Sequence, residues 1–248
     1  TPTTVATVTP SLERAQYVID LQLNYSAKAA NVNQVITYPN WTGETLTNLV
    51  MAVEPNLWSG GFSLKSITVD GQPVTAYTLE NFNQRLEVQL PQPLPPSGTI
   101  TINLNYGLFL PQMQAYENAS NDVRPQIYGY SDKQVNFVDW YPFIVPYIPG
   151  QGWVLHNPWF YGEHLVYDLA DFDVTVIFPA GANPKVAASG MEVEPLPTTT
   201  PEGIVHHRYL LEAGRTFALS MSDHFKVAQQ TVGDVTVYSY YFGLYDAP

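Results

Sequence analysis

The sequence predicts an all-β protein: a large twisted or saddle-shaped β-sandwich of about a dozen strands carrying a long aromatic loop. Three observations predict it. Short segments alternate apolar and polar residues with period two along the whole chain. Gly, Pro and Asn punctuate these segments, with 16 glycines and 21 prolines among 248 residues. No window of about twelve residues follows the 3.6-residue period of a helix.

Residues 1–12, TPTTVATVTPSL, read as an N-terminal tether, and 13–248 as a single β domain. A Thr/Pro-rich tether behind a removed signal peptide or lipid anchor suits an exported protein, extracellular or held at the cell surface. YVIDLQLNY (17–25) is the first expected strand, NQVITY (33–38) the next, and TLTNLVMAVEP (45–55) is apolar enough to be buried. SLKSITVDGQPVTAYTLE (63–80) reads as two strands around Asp70-Gly71, a dipeptide that tolerates the positive φ angles of a tight hairpin. RLEVQLPQPLPPSGTITINLNYGL (85–108) reads as strand, proline-rich connection, strand. Segment 111–133, with Pro111, Asn118, Asn121 and Pro125, is the least regular and suits a long surface loop or a turn of helix. An aromatic stretch begins at Trp140, and six alternating segments follow it: 170–181, 184–190, 204–213, 216–223, 224–232 and 234–243. An open sheet of so many strands curls or splits, hence the sandwich or saddle. No repeat of fixed period supports a propeller or a solenoid.

Composition removes several functions. A net charge of −12, with no cluster among ten basic residues, repels a phosphate backbone and excludes nucleic acid as a partner. The absence of cysteine excludes disulfides, Cys-ligated zinc and Cys nucleophiles. With 45% hydrophobic but 13% charged residues, the surface is covered by neutral polar side chains, as in many secreted or cell-surface β proteins. No run approaches the ~18 apolar residues of a membrane-spanning helix.

Motifs for catalysis are missing. None of the five histidines, His156, His164, His206, His207 and His224, belongs to an H-E-x-x-H helix. His156 and the Glu163-His164 pair share the aromatic loop and offer three ligands to a metal, although isolated histidines in such loops more often serve packing. His206 and His207 are neighbours on a strand and point to opposite faces. Neither a G-x-S-x-G elbow nor a phosphate loop is present, and Gly60-Gly61 reads as a turn. Asp171 and Asp173 flank Phe172 on one strand face, a geometry for the paired carboxylates of a glycosidase, or for a solvated strand edge. Trp140, Tyr141, Trp153, Trp159, Phe160 and Tyr161 either stack sugar rings or fold back as a satellite core, and composition favours burial. Two glycosylation acceptors, Asn40-Trp41-Thr42 and Asn118-Ala119-Ser120, matter only in a eukaryotic secretory route.

In order along the chain, Trp140-Tyr141-Pro142, Gly152-Trp153, Tyr161-Gly162-Glu163, Ala170-Asp171-Phe172-Asp173-Val174-Thr175-Val176, Phe178-Pro179-Ala180-Gly181 and the strand from Val186 to Gly190 resemble the N-terminal β domain of the aminopeptidase N-like zinc metallopeptidases, a branch of the gluzincins. Arg215 to Val227 is similar to the strand pair that ends this domain, and Val235 to Tyr241 to the segment after which the catalytic domain begins. The resemblance covers the chain from Glu13 onward. It implies a non-catalytic scaffold of an exported metallopeptidase, a hydrolase acting in proteolysis, that buttresses a catalytic domain and bounds its substrate cleft. The partners it implies are a C-terminal catalytic domain of the same polypeptide and a peptide substrate at the domain interface. Zinc, the G-x-M-E-N loop and the H-E-x-x-H site belong to that further domain, so this chain is expected to supply no catalytic residue and no metal ligand. Gly190-Met191-Glu192 departs from the G-x-M-E-N pattern at Val193. In relatives the aromatic loop faces the catalytic domain, and a Gln or Glu shortly before the Trp/Phe-Pro turn reaches the substrate's N-terminal residue. Asp132-Lys133-Gln134-Val135-Asn136 departs from the family's T-Q-x-E pattern and leaves Gln134 as the substrate-binding candidate. The alternative of another class is a secreted carbohydrate-binding or adhesion module using the aromatic loop, for which Trp153 and Trp159 would be exposed and coplanar. A third reading is an inactive family member whose further domain serves assembly.

Overall fold

A computed structural model describes residues 13–113, 127–156, 165–195 and 203–243. In chain order the strands are β1 (Ala15–Asn24), β2 (Ala29–Pro39), β3 (Leu46–Ala52), β4 (Phe62–Val69), β5 (Gln72–Pro73), β6 (Tyr77–Glu80), β7 (Arg85–Leu94), β8 (Thr99–Phe109), β9 (Gly129–Tyr130) and β10 (Val135–Phe137). They continue with β11 (Phe143–Ile144), β12 (Tyr147–Ile148), β13 (Gly152–Trp153), β14 (Ala170–Phe178), β15 (Lys185–Ala188), β16 (Met191–Val193), β17 (Val205–Gly214), β18 (Leu219–Ser222), β19 (Lys226–Val232) and β20 (Val235–Tyr241). Among the described residues, one 3-10 turn spans Glu54–Leu57. No helix among the described residues is long and apolar enough to cross a membrane.

The strands form an eight-stranded sheet in the order β16-β17-β14-β1-β2-β8-β4-β5, two four-stranded sheets, β15-β18-β10-β9 and β11-β3-β7-β6, and two hairpins, β12-β13 and β19-β20. Strands β1 and β14 pair in parallel. Period-two burial drives the layering. On β1, Tyr17, Ile19, Leu21 and Leu23 point inward, while Val18 and Gln22 between them face solvent. Val174 and Val176 of β14 and Ile102 and Leu104 of β8 occupy the same inner face, in one cluster with Leu49 and Val50 of β3 and Leu86 and Val88 of β7. Each such side chain contributes about 1.5–3 kcal/mol by leaving water.

Two segments differ from the sequence expectation. Asp70 (φ 48°) and Gly71 (φ 76°) form the expected hairpin turn, both left-handed as a type I′ turn requires. Its second arm then divides: β5 stays on β4 at the edge of the large sheet, whereas β6 crosses to pair with β7. Pro73, which has no N–H to donate, ends β5 on that edge. The expected proline-rich connection lies partly inside a strand, because β7 runs through Pro91 and Pro93 to Leu94. Its ladder to β3 steps from Asn48↔Gln89 to Leu46↔Leu94, so the donor-less prolines sit in a bulge.

The β7–β8 turn is locked by Asn40, which is 0% exposed. Its Nδ2 donates toward the carbonyls of Glu44 (2.8 Å), Leu94 (3.0 Å) and Pro95 (3.1 Å). Its Oδ1 accepts from the Thr42 hydroxyl (2.7 Å) and amide (3.1 Å). One of the two candidate glycosylation acceptors is therefore a core residue. The other, Asn118, lies outside the described residues, as does the tether expected over residues 1–12.

Candidate functional site

The Trp-Tyr-Pro turn is the best-anchored part of the aromatic stretch. Trp140 and Tyr141 are 0% and 1% exposed. The Trp140 indole N–H donates to the Phe217 carbonyl (3.0 Å), and the Phe217 N–H donates to the Tyr141 hydroxyl (3.2 Å). Consecutive rings thus satisfy both backbone groups of one buried residue, which removes the desolvation cost of an unpaired peptide. Pro142 adds its carbonyl to the buried Gln34 amide (2.6 Å), whose oxygen accepts the Tyr106 hydroxyl (2.8 Å). Edge-to-face contacts link Phe137 to Trp140, Trp140 to Tyr141, and Tyr141 to Tyr17 and Phe172. Burial pushes the hydroxyls of Tyr17, Tyr106 and Tyr141 well above the ordinary tyrosine range, so they act as neutral hydrogen-bonding groups. These rings belong to the core. Trp153 is half-buried, edge-on to Tyr147 at 78°, with its N–H on Asn48. Trp159, Phe160, Tyr161, Gly162, Glu163 and His164 lie outside the described residues.

Asp171 and Asp173 are neither a solvated edge nor a free pair. Strand β14 is interior to the large sheet, between β17 and β1. Asp171, 3% exposed, accepts from Arg14 Nε (3.0 Å) and from the Ala213 amide (2.9 Å), the latter where a bulge interrupts the β14–β17 ladder. Asp173 takes a bidentate pair from Arg208, Nε to Oδ1 at 2.7 Å and Nη2 to Oδ2 at 2.6 Å. Each carboxylate is bound to its own guanidinium, which occupies its acceptor oxygens. A groove of about 170 Å³ passes over them, lined also by Gln16, Val18 and Arg208.

The four described histidines are dispersed. His206 and His207 do take opposite faces of β17, opposite Ile177 and Val176 respectively. His207 bonds to Glu192 (2.7 Å) and Asn183 (3.2 Å) and sits edge-on to Phe178. His156 and His224 are exposed. Among the described residues no group of three His, Asp or Glu side chains converges to hold a metal ion. Met191 and Glu192 lie on the outer strand β16, paired with β17 inside this fold.

Gln134 occupies the tight turn between β9 and β10. Its N–H donates to Ser131 Oγ (3.2 Å) and its carbonyl accepts the Ser131 amide (2.8 Å), leaving a half-buried side chain at one edge of the β15-β18-β10-β9 sheet's connections. The neighbouring residue ties this turn to the end of the chain: the Lys133 carbonyl accepts Ser222 Oγ–H (2.5 Å), and its ammonium stands 5.8 Å above the Phe242 ring. Phe242 packs on Phe225 at 5.1 Å, and Phe225 meets Tyr240 at 5.8 Å. These contacts were not legible in the sequence, since Lys133 and Phe242 belong to segments far apart. At the start of β1, a groove of about 520 Å³ is bounded by Ala15, Tyr38, Trp41, Tyr147 and Asp168.

Structural comparison finds solved structures that share this architecture. The chain is similar to an M1 zinc metallopeptidase from Deinococcus radiodurans with TM-score 0.56 and 17% identity, over 91% of this chain and 46% of that one. It is similar to a mutant of that peptidase bound to a Tyr-Ser-Ala substrate, with TM-score 0.56 and 16% identity over 91% and 47% of the two chains. A two-domain M1 zinc metallopeptidase mutant bound to L-tryptophan matches with TM-score 0.56 and 18% identity over 93% and 49%. At this identity the likeness establishes a shared fold. This chain spans about half the length of the structures it matches. No family model matches the chain, and no curated protein sequence does.

Proposed function

We propose that the chain is the non-catalytic N-terminal domain of an exported, aminopeptidase-like zinc metallopeptidase, in which it buttresses a further catalytic domain and bounds its substrate cleft. The observation that carries this reading is the fold match over 91–93% of this chain but only 46–49% of the zinc metallopeptidases it resembles. Such a match is what one domain of a longer polypeptide gives. This reading assigns zinc to the further domain; among the described residues no convergent donor set is found. No step through a metal is assigned to this chain. The carbohydrate-binding alternative needs Trp153 and Trp159 exposed and coplanar; Trp153 is half-buried and edge-on to Tyr147, and Trp159 lies outside the described residues.

The test is the reading frame beyond Pro248. An H-E-x-x-H motif is expected there, and the longer polypeptide should hydrolyse aminoacyl substrates, lose turnover to a chelator and regain it with zinc. Residues 1–248 alone should turn over nothing and retain no stoichiometric zinc. Zinc-dependent hydrolysis by 1–248 alone sinks the scaffold reading.

A further inference from the structure

The hairpin β19-β20 is a sheet of its own. Gly233 (φ 61°) takes the first position of its two-residue turn, where a type II′ turn needs positive φ. Every residue of β19 is exposed, and in β20 only Tyr240 is partly covered. Tyr240 leans on Phe225 at the hairpin's base and so gives the ribbon an orientation. The register places Val235, Val237, Ser239 and Tyr241 on the opposite face, paired with Val232, Gln230, Ala228 and Lys226 of the other strand. On that face Val232, Val235, Val237 and Tyr241 are 66%, 63%, 57% and 46% exposed. A two-stranded ribbon is marginally stable in water by itself. Apolar side chains exposed in this way, clustered toward the tip of a ribbon that among the described residues pairs only with itself, mark a surface that another body covers.

We infer that the Val232/Val235/Val237/Tyr241 face of the β19-β20 hairpin is the docking surface for the domain that follows in the same polypeptide, which covers it with an apolar surface. This rests on the proposed function, and two observations select that occupant. The matched zinc metallopeptidases carry about as much chain again as is aligned here. The hairpin is the last element of the described chain, so the further chain proposed above leaves the fold from its second strand. A tethered neighbour also meets the face at high effective concentration, which makes modest apolar burial sufficient.

Hydrogen exchange of the amides from Val227 to Tyr240, compared between 1–248 and the longer polypeptide, tests it. Protection should rise at least ~100-fold in the longer polypeptide, the signature of covering a marginal ribbon. Val237→Glu should leave the melting temperature of 1–248 unchanged, showing that the variant folds, and should cancel the added protection in the longer polypeptide. Thr236→Glu, on the other face, should leave that protection in place. Equal exchange in the two forms overturns the inference, as does a Val237→Glu variant that keeps full protection. The outcomes separate from those of the functional reading: a protected hairpin in an inactive polypeptide sinks the peptidase alone, and an active peptidase with a freely exchanging hairpin sinks the docking surface alone. A reading frame without a further domain sinks both.

Discussion

Asn40→Asp isolates one half of a buried amide. The substitution keeps the oxygen that accepts from Thr42 and replaces the Nδ2 that faces the Glu44, Leu94 and Pro95 carbonyls at 2.8, 3.0 and 3.1 Å. Two amide hydrogens serve these acceptors, and each carbonyl left dry by a lost bond costs about 1–3 kcal/mol. The loss is therefore about 2–6 kcal/mol, and a chain of this size melts lower by about 2–4 °C per kcal/mol, giving a fall of about 4–24 °C. The pH dependence identifies the cause. A neutral carboxyl can donate one bond to the carbonyls, whereas a carboxylate meets only acceptors, so the folded pKa of the new Asp is raised. A raised carboxyl pKa penalises the fold increasingly as pH climbs through the unfolded value near 4. Thermal melts of variant and wild type should thus differ less at about pH 4 than at neutral pH. A fall below ~3 °C, or a difference that does not change with pH, refutes the assignment of Asn40 as a buried donor. The same geometry predicts that material from a glycosylating host carries no glycan on Asn40, since the atom to be modified is the one engaged.

Burial holds Tyr17, Tyr106 and Tyr141 above the ordinary tyrosine value. Their contribution is complete below the unfolded pKa of about 10 and declines as pH rises above it, by up to ~1.4 kcal/mol per pH unit for each ring. Tyrosinate absorbance and loss of β circular dichroism should rise together in alkaline titration, and ionisation of these rings with the fold intact refutes this. Arg208→Met leaves Asp173 in the middle of the large sheet without its bidentate partner, at a cost of about 2–3 kcal/mol in urea unfolding, less than for a fully buried pair because Asp173 keeps some water. Adding Asp173→Leu should restore most of the loss, and a double variant as unstable as the single one would show that the pair is not the source.

Period-two burial made the fold class legible, and the inner faces of β1 and β14 follow it residue by residue. What stayed hidden was pairing between distant segments. Nothing local to Asp171 or Asp173 announces Arg14 or Arg208, because the parallel β1–β14 match and the β14–β17 bulge exist only after the sheet closes. The acid pair therefore reads as an open strand edge until its neighbours are known. Pro91 and Pro93 mislead in the opposite direction. A proline stops a ladder locally but not a strand whose flanks, Gln89 and Leu94, still find Asn48 and Leu46. The aromatic stretch was legible as burial for Trp140 and Tyr141, but their bonds to Phe217 needed the fold. The β19-β20 alternation was visible, and its lack of cover was not.

The buried Trp-Tyr turn and the candidate edge are mechanically one unit. Trp140 and Tyr141 grip the backbone of Phe217, two residues before β18 begins at Leu219. Strand β18 pairs with β10, and β10 carries Gln134 on its leading turn. Ser222 at the far end of β18 holds the Lys133 carbonyl of that same turn, and Phe225 just beyond it supports the base of the hairpin. The turn is thus fixed at both ends of β18, by a pair of rings inside the core and by a hydroxyl at its rim. In a β scaffold, residues that meet a partner need a rigid support more than they need reactive neighbours. Here the aromatic motif supplies that support from within. Its sequence signature therefore points to the domain edge through the strands it positions, without any of its described Trp140 or Tyr141 surface reaching a ligand.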